Sequence, residues 1–382
     1  MNKCKYLLLL FLIACHLDKK LELNNSTTRR VSCKENAYHI QNICEDEKEY
    51  LDWAAKYPKL RQASQLNRSS LQSLTKNTLD VDKATAIFYH RIIQEPLNKE
   101  FLNYVEKKEL EFIKTIPDYN KENVLLAIVP GMFYKDNPNV GADGKKIRDI
   151  AKSIGLQEDL IPVKQTGTLQ ENADIICNYV KNRNDVKGII LASVSKGSSD
   201  VKIALKKCGK ESYFKKVRAW YNIGGLNKGT KGVKVVTDDF WKRNEGRFYF
   251  WTHGYNWQGF LDMSSEEGKP LSEDLQKPEH ILLVNIIGTP LFRHVSKRAK
   301  PFYLHLVQYG PNDGITLLAD SYIPGSVTYC SWRNDHYFLW PIAVQRIQAI
   351  FSYIMQKQFC QGKESCQVNK KISSGKEKIN ES

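Results

Sequence analysis

The 382-residue chain contains no G-x-x-x-x-G-K-[ST] loop, no G-x-G-x-x-G fingerprint and no H-E-x-x-H pair. Nucleotide use and zinc hydrolysis therefore lack the motifs that usually mark them. No two cysteines stand at zinc-site spacing, so neither a metal nor a cofactor is expected. Internal repeats are absent, which removes solenoids and propellers. No apolar run approaches the ~20 residues needed to cross a bilayer. Basic segments are present, but "KKVRAW", "SKRAKPF" and "GKEKINES" are short and separated. Without a nucleic-acid-binding module beside them, the formal charge of +15 reads as a solvated basic surface open to anionic lipid, not as a specific nucleic-acid site.

What is present is a hydrophobic content of 42%, enough for a sizeable core in one large domain with extensions. The opening "MNKCKYLLLLFLIACHL" has a basic start, a short apolar run and a small residue before cysteine, the layout of an export signal. Within it "LIAC", Leu12 to Cys15, resembles the lipobox of bacterial lipoproteins. That resemblance implies a signal over 1–14, cleavage after Ala14, lipidation of Cys15 and a membrane-anchored place in the bacterial cell envelope. The alternative is an ordinary secretory signal and a freely secreted protein.

Of nine cysteines, Cys33 with Cys44 and Cys360 with Cys366 are candidate short-loop disulfides in an exported chain. Cys177, Cys208 and Cys330 fall on apparent core elements and read as buried free thiols.

Residues 15–45 are polar and basic, as a tether would be. A helical region is expected over 46–120, where Ala84, Ile87, Phe88 and Ile92 recur at helical spacing up to Pro96. From 121 to 360 strands and helices alternate. "VLLAIVPG" reads as a strand buried on both faces, and Ile147, Ile150, Ala151 and Ile154 mark the helix after it. "DLIPV", "GIILAS" and "VRAWYNIGG" supply further strands, with a helix on Ala173, Ile176, Cys177 and Val180 between the first two. Such an order predicts a mostly parallel α/β sheet covered on both faces. An aromatic-rich insertion over about 227–277 reads as a lid or binding surface, or simply as its own core. "HILLVNIIG", "FYLHLVQYG" and "SVTYCSW" read as late strands, Ala343, Ile347, Ile350, Phe351 and Ile354 as a last helix, and 361–382 as a polar frayed tail.

Ser193-Val194-Ser195-Lys196-Gly197 follows the "GIILAS" strand and opens a helix. It resembles the nucleophile elbow of α/β-hydrolases, G-x-S-x-G, with serine in place of the first glycine. The resemblance covers about 123–359, without the two strands that usually open that sheet. It implies the α/β-hydrolase fold and a serine ester hydrolase, lipase- or esterase-like, working through an acyl-enzyme. In that family the chain order is serine, acid, histidine, each on a loop after a strand. Asp313 in "QYGPNDGIT" and His336 in "CSWRNDHYF" match this order. Asp320 and Asp335 are rival acids; Asn-Asp-Gly is also a common turn, and His253, His294 and His305 are the other histidines weighed. The resemblance further implies an oxyanion hole from the backbone N–H groups of Lys196 and of Met132, with Phe133 as alternative and Pro130 where the family's histidine usually stands. The competing expectation is a binding or scaffold protein of the envelope that keeps the fold without catalysis.

Overall fold

The computed structural model describes residues 44–339, 342–360 and 368–371. The expected signal and Cys15 lie outside the described residues, as does the tether up to Ile43. Among the described residues four α-helices come first: α1 (Glu45–Lys56), α2 (Arg68–Thr78), α3 (Val81–Gln94) and α4 (Pro96–Glu111). Their starts are local chemistry. Asn67 and Asp80 accept backbone N–H groups at the heads of α2 and α3, and Pro96 occupies the first turn of α4, where its missing donor costs nothing. A short strand β1 (Thr115–Asp118) follows.

Then come β2 (Val124–Val129), α5 (Lys145–Ser153), β3 (Gln157–Leu160), α6 (Leu169–Asn182), β4 (Gly188–Val194), α7 (Lys196–Cys208) and β5 (Val217–Ile223). Three helices, α8 (Gly232–Thr237), α9 (Phe240–Thr252) and α10 (Trp257–Leu261), precede β6 (Leu282–Thr289). The chain continues through α11 (Lys300–Leu306), α12 (Leu318–Ser321), β7 (Val327–Trp332), α13 (Val344–Gln358) and β8 (Val368–Lys371). The parallel six-stranded sheet runs β3-β2-β4-β5-β6-β7, the α/β-hydrolase arrangement without its two opening strands. Chain order reverses between β2 and β4, and the crevice beyond their carboxyl ends is where ligands bind in such sheets.

Alternation along the strands divides the core. Leu126, Ile128, Ile190, Ala192, Tyr221 and Tyr329 face α4, α5 and α13. Leu125, Ala127, Ile189, Leu191 and Trp220 face α6 and α7. At the β6–β7 end of that second face, Ile287, Cys330 and Trp332 are covered by Leu71, Leu74, Ala84, Ile87 and Phe88 of α2 and α3. The helices upstream of the sheet thus complete its cover. Among the described residues no helix is long and apolar enough to cross a membrane.

Several expectations need correction. "FYLHLVQYG" is not a strand: Ala299, Tyr303 and Leu306 share one side of α11 with Val307 beyond it, and a 3-10 turn closes the segment. Packing against Val81 and Val295 favours the helical spacing over the equally visible alternation. In "DLIPV" the strand begins earlier, at Gln157, and stops before Pro162. The tail is not wholly frayed, because β8 pairs antiparallel with β1. Cys177 and Cys208 are not free thiols; they form a disulfide with their Cα atoms 6.1 Å apart, tying α6 to the end of the neighbouring α7. Cys44 and Cys360 are disulfide-bonded, while Cys33 and Cys366 lie outside the described residues. Cys330 is free and buried, as expected.

Candidate active site

The turn between β4 and α7 places Ser195 at φ 52°, ψ −120°, a region that a residue with a Cβ enters only when its surroundings force it. Both sides of the turn are pinned. Ser195 N–H donates to Ile223 O at 3.0 Å, and Ser198 N–H donates to Ser195 O at 3.0 Å. Gly197 is required by space: a Cβ there would stand 2.2 Å from Val129 O and 2.7 Å from Pro130 O. Gly131 is close as well, its virtual Cβ 3.3 Å from that of Ser195. The ends of β2 and β4 therefore meet at the serine.

His336, 141 residues away, comes to it. Its Nε2 lies 2.8 Å from Ser195 Oγ, and its Nδ1 lies 2.9 Å from Asp313 Oδ2. A carboxylate only accepts, so Nδ1 carries the proton and Nε2 is left to accept from the serine hydroxyl. Asp313 is held by its own turn. Its Oδ1 accepts from the N–H groups of Ile315 and Thr316 at 2.9 and 2.8 Å, leaving Oδ2 for the imidazole. His336 N–H also donates to Asp313 O. The Asn-Asp-Gly turn thus serves structure and site together. Gly224 sits beside the ring at φ 54°, a conformation that favours glycine, and a Cβ there would stand 3.1 Å from the Phe338 ring.

Among the described residues, the N–H groups of Met132, Phe133 and Lys196 donate to no protein acceptor. Phe133 is itself in the left-handed region, at φ 58°. The side chain of Lys196 points away into the interior, where Nζ donates to Asp200 Oδ1 at 2.8 Å and Asn172 supports the other carboxylate oxygen. Burial pushes the Asp200 carboxyl up, opposed by the charge and hydrogen bond of Lys196.

The rival residues are engaged elsewhere. Asp320 accepts from Arg68. Asp335 accepts from the N–H groups of Ser296 and Tyr337. His253 caps α9 at the surface, His305 lies on α11, and His294 pairs with Glu47. Among the described residues no group of three His, Cys, Asp and Glu side chains is arranged to hold a metal ion.

Two supporting features escaped the sequence reading. Ser193 is more than small: its Oγ accepts from Trp220 Nε1 at 2.7 Å and meets Ser198 Oγ and Asn222 Oδ1. Asn222 Nδ2 donates to Asn285 Oδ1 and Asn227 Oδ1, and Asn285 Nδ2 to Ser321 O. The ladder register puts Ser193 beside Asn222 and Asn222 beside Asn285, a polar row across three central strands. An asparagine inside each of "VRAWYNIGG" and "HILLVNIIG" was the available signal, since buried amides must be partnered.

The second feature is Glu47 on α1, fully buried beneath the histidine loop. Arg333, three residues before His336, grips it through Nε and Nη2 at 2.7 and 2.8 Å, and Arg293, His294 and the Cys44 N–H add contacts. Burial raises this carboxyl, but the bonds from His294, Arg333 and Cys44, with the Arg333 charge, prevail and bring it down to about 2. A lowered carboxyl contributes stability that is complete above pH 4.5 and lost as pH falls toward 2, on the order of 3 kcal/mol here. Acid titration of unfolding should show that slope in the unmodified protein and a flatter one in Glu47→Gln; equal slopes would refute the assignment.

No protein-family model and no curated protein matches the chain. Solved structures do resemble it, among them the following three. A metagenomic carboxyl esterase is 19% identical over 63% of this chain and 78% of its own, at TM-score 0.46. The mature Bacillus licheniformis lipase is 16% identical, with 64% and 94% covered and TM-score 0.45. A Bacillus subtilis carboxylesterase is 11% identical, with 70% and 99% covered and TM-score 0.29. These are distant likenesses to carboxylesterases and lipases.

Proposed function

We propose that the protein is a serine hydrolase that cleaves carboxylic esters through an acyl-enzyme. The observation that carries this reading is the hydrogen-bonded chain Ser195–His336–Asp313 at the carboxyl edge of the sheet. A serine hydroxyl becomes an effective nucleophile only as a base takes its proton. In this reading Ser195 Oγ attacks the ester carbonyl carbon while His336 Nε2 accepts the proton, and Asp313 stabilises the resulting imidazolium. The tetrahedral oxyanion receives the N–H groups of Lys196 and Met132, strengthened by the positive end of α7. Collapse expels the alcohol, which takes its proton from His336. Water then repeats the sequence on the acyl-enzyme and releases the acid.

An apolar acyl group fits the wall beside the serine. Met132, Phe260, Leu261 and Ile315 pack against buried Leu226, Val233 and Met263, and Leu226 N–H reaches Ser195 O at 3.5 Å. The Cys177–Cys208 disulfide supports an exported enzyme, because such bonds persist in oxidising compartments. A labelled fluorophosphonate should modify the protein at Ser195, with the label absent from Ser195→Ala. Folded protein that resists the probe would overturn the reading and leave a non-catalytic binding protein.

A further inference from the structure

Half of the aromatic insertion does not face inward. On α9, Gly246 and Phe250 are buried, and the Phe250 ring meets Trp257, Phe260 and Phe133. Phe240, Trp241, Phe248 and Trp251 on the same helix are 59, 79, 63 and 75% exposed. At 3.6 residues per turn these four side chains share a sector of about 100°. Phe240 and Trp241 contact each other edge-on, and Phe248 rests against Trp251, so they form two paired clusters on one side of the helix with Asn244 between them.

One margin of this face is basic: Arg247 and Arg243 follow its Phe240 edge, whereas Glu245 stands beside the Trp241 edge and Lys242 on the far side, on a chain with formal net charge +15. Arg243 lies over the Phe240 ring with its guanidinium 5.8 Å from the centroid. We propose that this face docks on an anionic phospholipid bilayer. Tryptophan and phenylalanine on one side of a helix with two arginines along one margin match the interface in two ways. The rings enter the boundary between headgroups and acyl chains, and the cations meet lipid phosphates.

Docking is independent of hydrolysis, and the test keeps them apart. The full chain is mixed with phosphatidylcholine vesicles containing phosphatidylglycerol, and with phosphatidylcholine alone. Bromine on the acyl chains should quench more tryptophan fluorescence in the unmodified protein than in W241F/W251F, which keeps the apolar face but removes two reporters. Both proteins share the N-terminal segment, so its own affinity cancels. W241S/F248S/W251S should lose at least about tenfold in partition to anionic vesicles while hydrolysing a soluble short-chain ester at the unmodified rate. Equal quenching in the first pair, or self-association through α9 without vesicle contact, would overturn the proposal. Vesicle docking by a protein inert toward esters would leave this inference standing and remove the hydrolase reading.

Discussion

Replacing Ser195 or His336 with alanine should lower kcat for ester hydrolysis by on the order of 10⁴ to 10⁶, with KM nearly unchanged. At 1.36 kcal/mol per decade that is roughly 5 to 8 kcal/mol of transition-state stabilisation. The size follows from the geometry. With His336 Nε2 at 2.8 Å from Ser195 Oγ, the proposed mechanism makes proton removal and attack one event, which either substitution would abolish. The double variant should therefore be no slower than the single ones, since the residues act as a unit. Asp313→Asn should cost about 10⁴, because an amide at that place favours the wrong imidazole tautomer. Steady-state kinetics on a soluble ester reads all four. Losses below tenfold in both single variants would remove these residues from the mechanism.

Gly197→Ala should be among the most destabilising single substitutions available, by more than about 3 kcal/mol. The added methyl would lie 2.2 Å from Val129 O and 2.9 Å from Val129 C, and backbone cannot rotate aside as a side chain can. Relief requires β2 and α7 to separate, which would move the Met132 loop from Ser195. Folded Gly197→Ala should for that reason also be catalytically poor. Gly268→Ala is the comparison. Nothing lies within 4 Å of its added methyl, and only the φ of +74° opposes it, at about 1 kcal/mol. Urea unfolding midpoints that coincide for the two variants would contradict the steric account.

How far the chain could be read before folding is clear from particular segments. "VLLAIV" and "GIILASV" are strands because uninterrupted apolar character needs burial on both faces, and β2 and β4 are so buried. "FYLHLVQYG" misled because alternation and helical spacing coexist in it, and only contact with Val81 and Val295 selects between them. Ser193 was legible as small but not as the acceptor for Trp220, a bond that exists only between adjacent strands. Glu47 gave no local signal, since a glutamate on α1 looks solvated until Arg333 arrives. The aromatic insertion divided: Phe250, Trp257 and Phe260 form its interior, while Trp241 and Trp251 face outward.

By itself the sequence determined which segments repeat with helical or strand period and the small residues around Ser195. Those are properties of neighbouring residues, set by backbone sterics and hydrophobic spacing. The tertiary structure alone decided that positions 195, 313 and 336 converge, that Cys177 reaches Cys208, and that four rings of α9 remain in water. Convergence and exposure depend on which surfaces pack together, and no local pattern carries the identity of a partner that is 141 residues away.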